Sequence, residues 1–392
     1  MSASRLWRHF DYVLLVVTIL LAIFGVVMVR SATQGSLDPE VLGLWRRQAV
    51  VAVVGVVLIF LLSTFPRDYQ WFGDFWWLAF LLAAGLLILV LFIGKSDISD
   101  VRSWFDLGPI NLQPSYLAMI LLAISAGSIL GRRRRRRGAS KTPLFGTPKT
   151  TLLESAPSER PGFGSYVTSG LMALILTGLV FRQPDLATAA VLLSIWVAMA
   201  FESDMPLGYL VLTVVIGLLA IYPLWKLIEV LEYGYMLDRV LSFFDPTPDY
   251  QVGQALIAIG SGGFLGKGLG QGTQSQLRYL PARHTDFIFA VTAEELGFAG
   301  VILLFVLYGV LFARLIRIIM IASDAYGRLL VTGVLAMILF QATVNIGMNL
   351  GLLPVAGLPL PFISYGSTAL LTTMIGVGIS ENVVMRHRRF EF

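Results

Sequence analysis

The chain has 392 residues, of which 56% are hydrophobic and 14% charged, and carries a formal net charge of +5. Its mean hydropathy of +0.78 excludes an ordinary soluble domain and points to a polytopic membrane protein. Cysteine is absent, which excludes disulfides, thiolate chemistry and Cys-ligated metals, and three histidines without a two-His helical spacing argue against a zinc enzyme.

Crossing a bilayer as a helix takes about 20 apolar residues. Ten such runs occur, near 11–29, 48–63, 75–93, 114–130, 165–181, 186–201, 207–225, 287–313, 326–350 and 365–384. Arg5 and Arg8 precede the first run, but it is too long for a signal core and no small-residue cleavage site follows before Arg30, so it is expected to stay as a span. Basic residues gather in cytoplasmic loops. With the N-terminus inside, the inner segments hold Arg5, Arg8, Arg67, the Arg132–Arg137 run, Lys141, Lys149, Arg160, Arg314, Arg317, Arg328, Arg386, Arg388 and Arg389, so both termini are predicted cytoplasmic. The expected fold class is an all-α polytopic membrane protein: about ten transmembrane helices, a single membrane domain over 1–392, and a large extracytoplasmic loop between spans seven and eight.

Residues 131–164 combine six arginines with Gly, Ser, Thr and Pro and few large apolar residues, a composition expected to form a disordered cytoplasmic loop. Directly after a span, the arginine run reads as a topology signal rather than a site for nucleic acid or anionic lipid. In the outer region 226–286, Leu227, Ile228, Leu231, Tyr235, Val240, Leu241 and Phe244 recur near helical spacing among charged residues. That pattern fits an amphipathic helix on the membrane surface, and equally an extra helix packed on the bundle. The glycines that follow, from Gly260 to Gly272, fail as a nucleotide cradle: Ser261 stands where a Walker A motif needs Gly, Gly268 where it needs Ser or Thr, and no dinucleotide fingerprint fits. Gly262, Gly266 and Gly270, at four-residue spacing, suit a tightly packed or re-entrant segment instead.

The stretch Leu280-Pro281-Ala282-Arg283-His284-Thr285-Asp286-Phe287-Ile288-Phe289 sets a guanidinium, an imidazole and a carboxylate side by side where a hydrophobic helix begins. Ionisable groups at membrane depth face a partner, water or a substrate, which makes the cluster a candidate site; capping of the helix by Thr285 or Asp286 is the plainer alternative. Glu294 and Glu295 fall about two turns further on, so at least one should face protein interior or water rather than lipid.

Taken together, Gln183-Pro184-Asp185-Leu186, the run from Ile259 to Leu277, Leu280-Pro281 with His284 to Ala290, Glu294-Glu295-Leu296-Gly297, and Asn345 through Tyr365-Gly366 resemble, in order and spacing, the SEDS family of membrane glycosyltransferases. The resemblance covers nearly the whole chain and leans to the RodA branch, which serves elongation, through Gly272-Thr273-Gln274-Ser275-Gln276 and Pro354 to Phe362. It implies polymerisation of lipid II, with class B penicillin-binding protein, lipid II and membrane lipids as partners and no nucleic acid, in the bacterial cytoplasmic membrane. Asp286 is then the catalytic carboxylate, as general base or alternatively as ligand of a divalent cation, magnesium or manganese. Arg283, Lys267, Arg278 and Arg102 are the candidate cations for the leaving pyrophosphate, with His284 and Gln183 as further substrate-binding positions. Asp185 either lines the cavity or caps span six. Trp76, Trp77, Trp104 and Tyr365 read as interfacial aromatics without chemistry. A flippase for the lipid-linked precursor and a weakened scaffold are the other readings.

Two positions depart from the family. Its members usually carry Gln-Pro-Ser-Glu with Lys three residues on, where this chain has Gln113-Pro114-Ser115-Tyr116 and Met119; near the last span Ser367 follows Gly366 where a second Gly is usual. Loss of both charges at once leaves no orphan and reads as coordinated replacement, with Tyr116 able to offer a hydroxyl to the cavity.

Overall fold

The computed structural model describes residues 7–36, 38–96, 102–106, 108, 111–131, 161–230 and 250–386. Its principal helices are α1 Tyr12–Thr33, α2 Leu44–Thr64, α3 Trp76–Ile93, α4 Pro114–Gly131, α5 Phe163–Phe181, α6 Leu186–Glu202, α7 Leu207–Val230, α8 Tyr250–Ser261, α9 Ile288–Ile321, α10 Ala325–Asn349 and α11 Ser367–Met385. Each of the ten apolar runs falls on one of these helices, α8 being the extra one. Among the described residues eight helices are long and apolar enough to cross a membrane, and Leu186–Glu202 and Leu207–Ala220 are shorter apolar helices. Most of the arginine-rich segment, 132–160, and 231–249 of the expected amphipathic helix lie outside the described residues.

Polar content decides which helices are central. In the most apolar stretch of α4 and of α11, 83% of residues are buried, against 22% in α3. The apolar α3 can turn most of its surface to lipid, whereas α11 carries Ser380, Glu381 and Asn382, all buried, and must keep them inside the bundle. Helix α11 packs along α2, α4 against α3 and α6, and α10 against α6 and α9.

One small sheet departs from the all-helical expectation. Strands β1 Lys95–Ser96, β2 Arg102–Asp106 and β3 Asn111–Leu112 pair antiparallel in that order between α3 and α4. Arg314 was expected in a loop beyond span eight, but α9 continues to Ile321 and holds it within the helix. The reason is an ion pair: Arg314 donates from Nε and Nη2 to Asp11 Oδ2 at 2.8 and 2.5 Å, so the guanidinium is neutralised without leaving the helix. Asp11 also caps α1 by accepting from Leu14 N at 3.1 Å, and its own N–H donates to Glu381 Oε2 at 3.0 Å, tying α1, α9 and α11 together at this end. Nearby, Arg386 donates to the carbonyls of Ser63, Pro66 and Arg67, taking up acceptors left open where α2 ends.

The glycine-rich segment is a close-packed joint with α9. Lys267 N and Gly268 N donate to the carbonyls of Glu294 and Glu295 at 3.0 and 2.9 Å, and Phe298 N and Ala299 N donate back to Gly263 and Phe264 at 2.9 and 3.0 Å. Its amides are thus spent on α9, and a phosphate cradle is not built. A Cβ on Gly262 would stand 1.9 Å from the Ala293 carbonyl oxygen, and one on Gly266 2.2 Å from that of Glu295. Gly297 interrupts α9 at φ 66°, ψ −163°, a conformation essentially reserved for glycine.

Gly297→Val should therefore destabilise the fold by at least about 2 kcal/mol, through backbone strain and a Cβ that would meet Gly266 N. Gly253→Ala, in α8 with open space around its Cβ, should be neutral or stabilising by up to about 1 kcal/mol. Yield and thermal unfolding of both variants in detergent check the contrast.

Candidate active site

The turn before α9 is built by backbone. Ala282, at φ 48°, offers its carbonyl to the N–H groups of Thr285, Asp286 and Phe287 at 3.1–3.2 Å. The next carbonyls are taken one after another from other elements. Tyr365 N donates to His284 O at 2.9 Å and Ser364 Oγ to Thr285 O at 2.5 Å. Two α10 side chains, Asn345 and Asn349, donate through Nδ2 to Asp286 O at 3.0 and 2.9 Å. Asn349 Oδ1 also accepts from Ala290 N at 3.1 Å, serving one of the donors left open in the first turn of α9. The helix begins after Phe287 with no side-chain cap, so the cap reading of Thr285 and Asp286 is set aside.

Held this way, the half-buried side chain of Asp286 lines a cavity of about 870 Å³. The other walls are the start of α4 with Gln113 and Tyr116, the α5–α6 turn from Gln183 to Ala187, Trp104 of β2, residues 353–359, and the entry to α11 from Tyr365 to Ala369. Asp185 takes both roles foreseen for it: Oδ1 caps α6 by accepting from Thr188 N at 3.0 Å, while Oδ2 accepts from Gln113 Nε2 at 3.1 Å on the cavity wall. Gln183 is buried; its Nε2 donates to Leu87 O at 3.4 Å, and its Oε1 has no hydrogen-bond partner among the described residues.

Of the eight expected site residues, Asp286, Asp185 and Gln183 line this cavity together. Arg283 and His284 belong to the same turn without forming its wall. Arg283 Nε donates to Ala32 O at 2.6 Å. Burial, and secondarily the neighbouring Arg283, hold the His284 imidazole below its ordinary pKa, which disfavours its charged form. Lys267 is engaged elsewhere: Nζ lies 2.8 Å from Glu294 Oε1 and 2.8 Å from Thr273 Oγ1. Arg278 donates to Gly35 O at 2.9 Å and Arg102 to Phe92 O at 2.7 Å, both on the surface.

Glu294 and Glu295 are both fully buried. The first accepts from Lys267 and from the N–H groups of Gln274 and Ser275; the second accepts from the hydroxyls of Ser31 and Ser275 and from Gln276 Nε2. They fasten the segment after the glycines to α1 and α9 and do not line the cavity. Sequence reading missed Trp104 and Tyr365 as cavity residues. For Trp104 the signal lay in the short alternating strand, which buries Ser103 and turns Trp104 outward.

Either asparagine alone leaves Asp286 O with one donor. Asn345→Ala and Asn349→Ala combined should therefore cost more than the sum of the two single changes, by about 1–2 kcal/mol. Thermal unfolding of the four proteins measures this; strict additivity would mean that the two side chains do not share that acceptor.

A family model described as cell cycle protein, spanning FtsW, RodA and SpoVE, matches residues 11–389. A probable peptidoglycan glycosyltransferase FtsW of Trichlorobacter lovleyi is 33% identical, with 96% of this chain and 93% of the relative covered. The stage V sporulation protein E of Bacillus subtilis is 32% identical over 97% and 98%, and the peptidoglycan glycosyltransferase MrdB of Escherichia coli 32% over 96% and 93%. Among solved structures, the rod shape determining protein RodA of Thermus thermophilus superposes with a TM-score of 0.66 at 30% identity, covering 98% of each chain. A chain of a peptidoglycan synthase complex that coordinates polymerization and crosslinking superposes at 0.75 with 29% identity, covering 97% of this chain and 99% of that one. With its sequence matched from residue 11 to residue 389, this chain belongs to the FtsW, RodA and SpoVE family of cell cycle proteins.

Proposed function

We infer that this chain is a peptidoglycan glycosyltransferase that adds the disaccharide of lipid II to a growing glycan strand. The observation that carries the reading is Asp286, its backbone carbonyl pinned by two asparagines and its carboxylate on the wall of a roughly 870 Å³ cavity. Relatives named peptidoglycan glycosyltransferase support the activity. In the reaction the acceptor's 4-hydroxyl oxygen forms a bond to the donor's anomeric carbon while the bond from that carbon to the pyrophosphate oxygen breaks. The leaving polyprenyl pyrophosphate keeps the electron pair, and the hydroxyl proton passes to the Asp286 carboxylate. One in-line displacement turns the α-linkage into a β-linkage.

No Lys, Arg or His is among the described residues that line the cavity. Among the described residues no group of three His, Cys, Asp or Glu marks a metal site; Asp185 and Asp286, both on the cavity wall, are the carboxylates that would hold a hard divalent cation such as magnesium or manganese. When bound, such an ion supplies positive charge for the departing pyrophosphate.

Arg67, Arg328 and Arg386 lie at the end of the bundle opposite Asp286. This charge bias supports a cytoplasmic-membrane orientation with both termini cytoplasmic and the cavity outside. The match to a synthase complex supports a class B penicillin-binding protein as partner. For the elongation branch the support is the run Gly272 to Gln276 and Pro354 to Phe362; identities of 32–33% to relatives bearing all three family names do not rank the branches.

Asp286→Asn keeps the shape and removes the base. Polymerisation of lipid II by the purified protein with its partner should fall at least about 100-fold while yield and thermal stability stay near wild type. A near wild-type rate would refute the assignment. In the same assay, chelation should silence the wild-type protein and added magnesium or manganese restore it.

A further inference from the structure

Gln113, just before α4, and Tyr116, in its first turn, both lie on the cavity wall. The Gln113 amide is taken by Asp185 at 3.1 Å. One turn beyond Tyr116, the fully buried Met119 accepts through Sδ from Gln341 Nε2 of α10 at 3.3 Å. Tyr116 is different. Its side chain is 5% exposed, yet its hydroxyl has no hydrogen-bond partner among the described residues. Nor is that oxygen sealed in the interior with the unpartnered buried atoms; it opens on the cavity. A hydroxyl so nearly withdrawn from water and left unpaired is unfavourable unless something entering the cavity completes it.

The charges of Asp185 and Asp286 both act on Tyr116. Asp286, on the same wall, takes the proton of a sugar hydroxyl in the proposed reaction, which brings neutral sugar oxygens to this side of the cavity. A phenol can donate one hydrogen bond and accept others, which matches a sugar oxygen. We propose that the Tyr116 hydroxyl is a substrate-binding group that hydrogen-bonds a neutral sugar oxygen of the lipid-linked disaccharide beside Asp286. The proposal rests on the glycosyltransferase reading for the identity of its ligand.

Tyr116→Phe removes one oxygen and keeps the ring. Two measurements on the full-length purified protein separate this proposal from the reading it rests on. Binding of fluorescent lipid II should weaken about tenfold, and kcat/KM for polymerisation should fall to a similar extent, while the thermal midpoint stays equal to or above wild type because the lost hydroxyl had no partner in the protein. Unchanged lipid II affinity in the variant overturns the proposal. So does a lowered thermal midpoint with unchanged affinity, which would mean that the hydroxyl is paired inside the protein. Wild-type protein that binds lipid II without polymerising it sinks the glycosyltransferase reading, and the binding comparison still decides Tyr116. Wild-type protein that does not bind lipid II refutes both.

Discussion

Three successive carbonyls, those of His284, Thr285 and Asp286, are each held by a donor from another part of the chain. The turn's internal hydrogen bonds all converge on one acceptor, the Ala282 carbonyl, so by themselves they leave the three carbonyls that follow without a fixed orientation. Donors from α10 and from the segment entering α11 remove that freedom, and they do so through the backbone carbonyls of the turn. Burial of the asparagines matters as much as their geometry, because a donor shielded from water competes poorly for any partner other than the carbonyl it faces.

The rest of the bundle can be read as support for that turn. Helix α10 must be central to present Asn345 and Asn349, and its opposite end is fixed by Asp324, which caps it through Gly327 N at 2.8 Å. Helix α9 must start where the turn ends, and its far half is clamped by Arg314 to Asp11. The apolar α3 lies at the rim, with 22% of its most apolar stretch buried, whereas α2 turns Gln48 inward to donate to Ile363 O at 3.2 Å.

Much of this was legible in the residues. Ten apolar runs marked ten helices because hydrophobic length is a local property. The His284-Thr285-Asp286 cluster stood out because three polar groups at the start of an apolar helix are costly without a use. Asp185, too, was visible as a residue with either a capping or a cavity role, and it has both. What stayed hidden depends on contacts between distant residues. Lys267 looked like a free cation until Glu294, 27 residues on, was found against it. Arg314 looked like a loop marker because Asp11, which neutralises it, lies 303 residues away. Trp104 and Tyr365 carry the same composition signal whether they meet headgroups or a cavity, and only the strand pairing and the entry to α11 tell the two apart.

The break in α9 has a mechanical side. Four backbone hydrogen bonds join residues 263–268 to residues 294–299, and glycine at 262, 266 and 297 lets the two backbones touch with no side chain between them to act as a cushion. Phe264 and Leu265, which are 67% and 77% exposed, sit on the outside of this joint, while Asp286 stands about two turns of helix away on the inside. The exposed rim and the carboxylate are thus joined by one short run of backbone-to-backbone contact, at the point where Gly297 breaks α9.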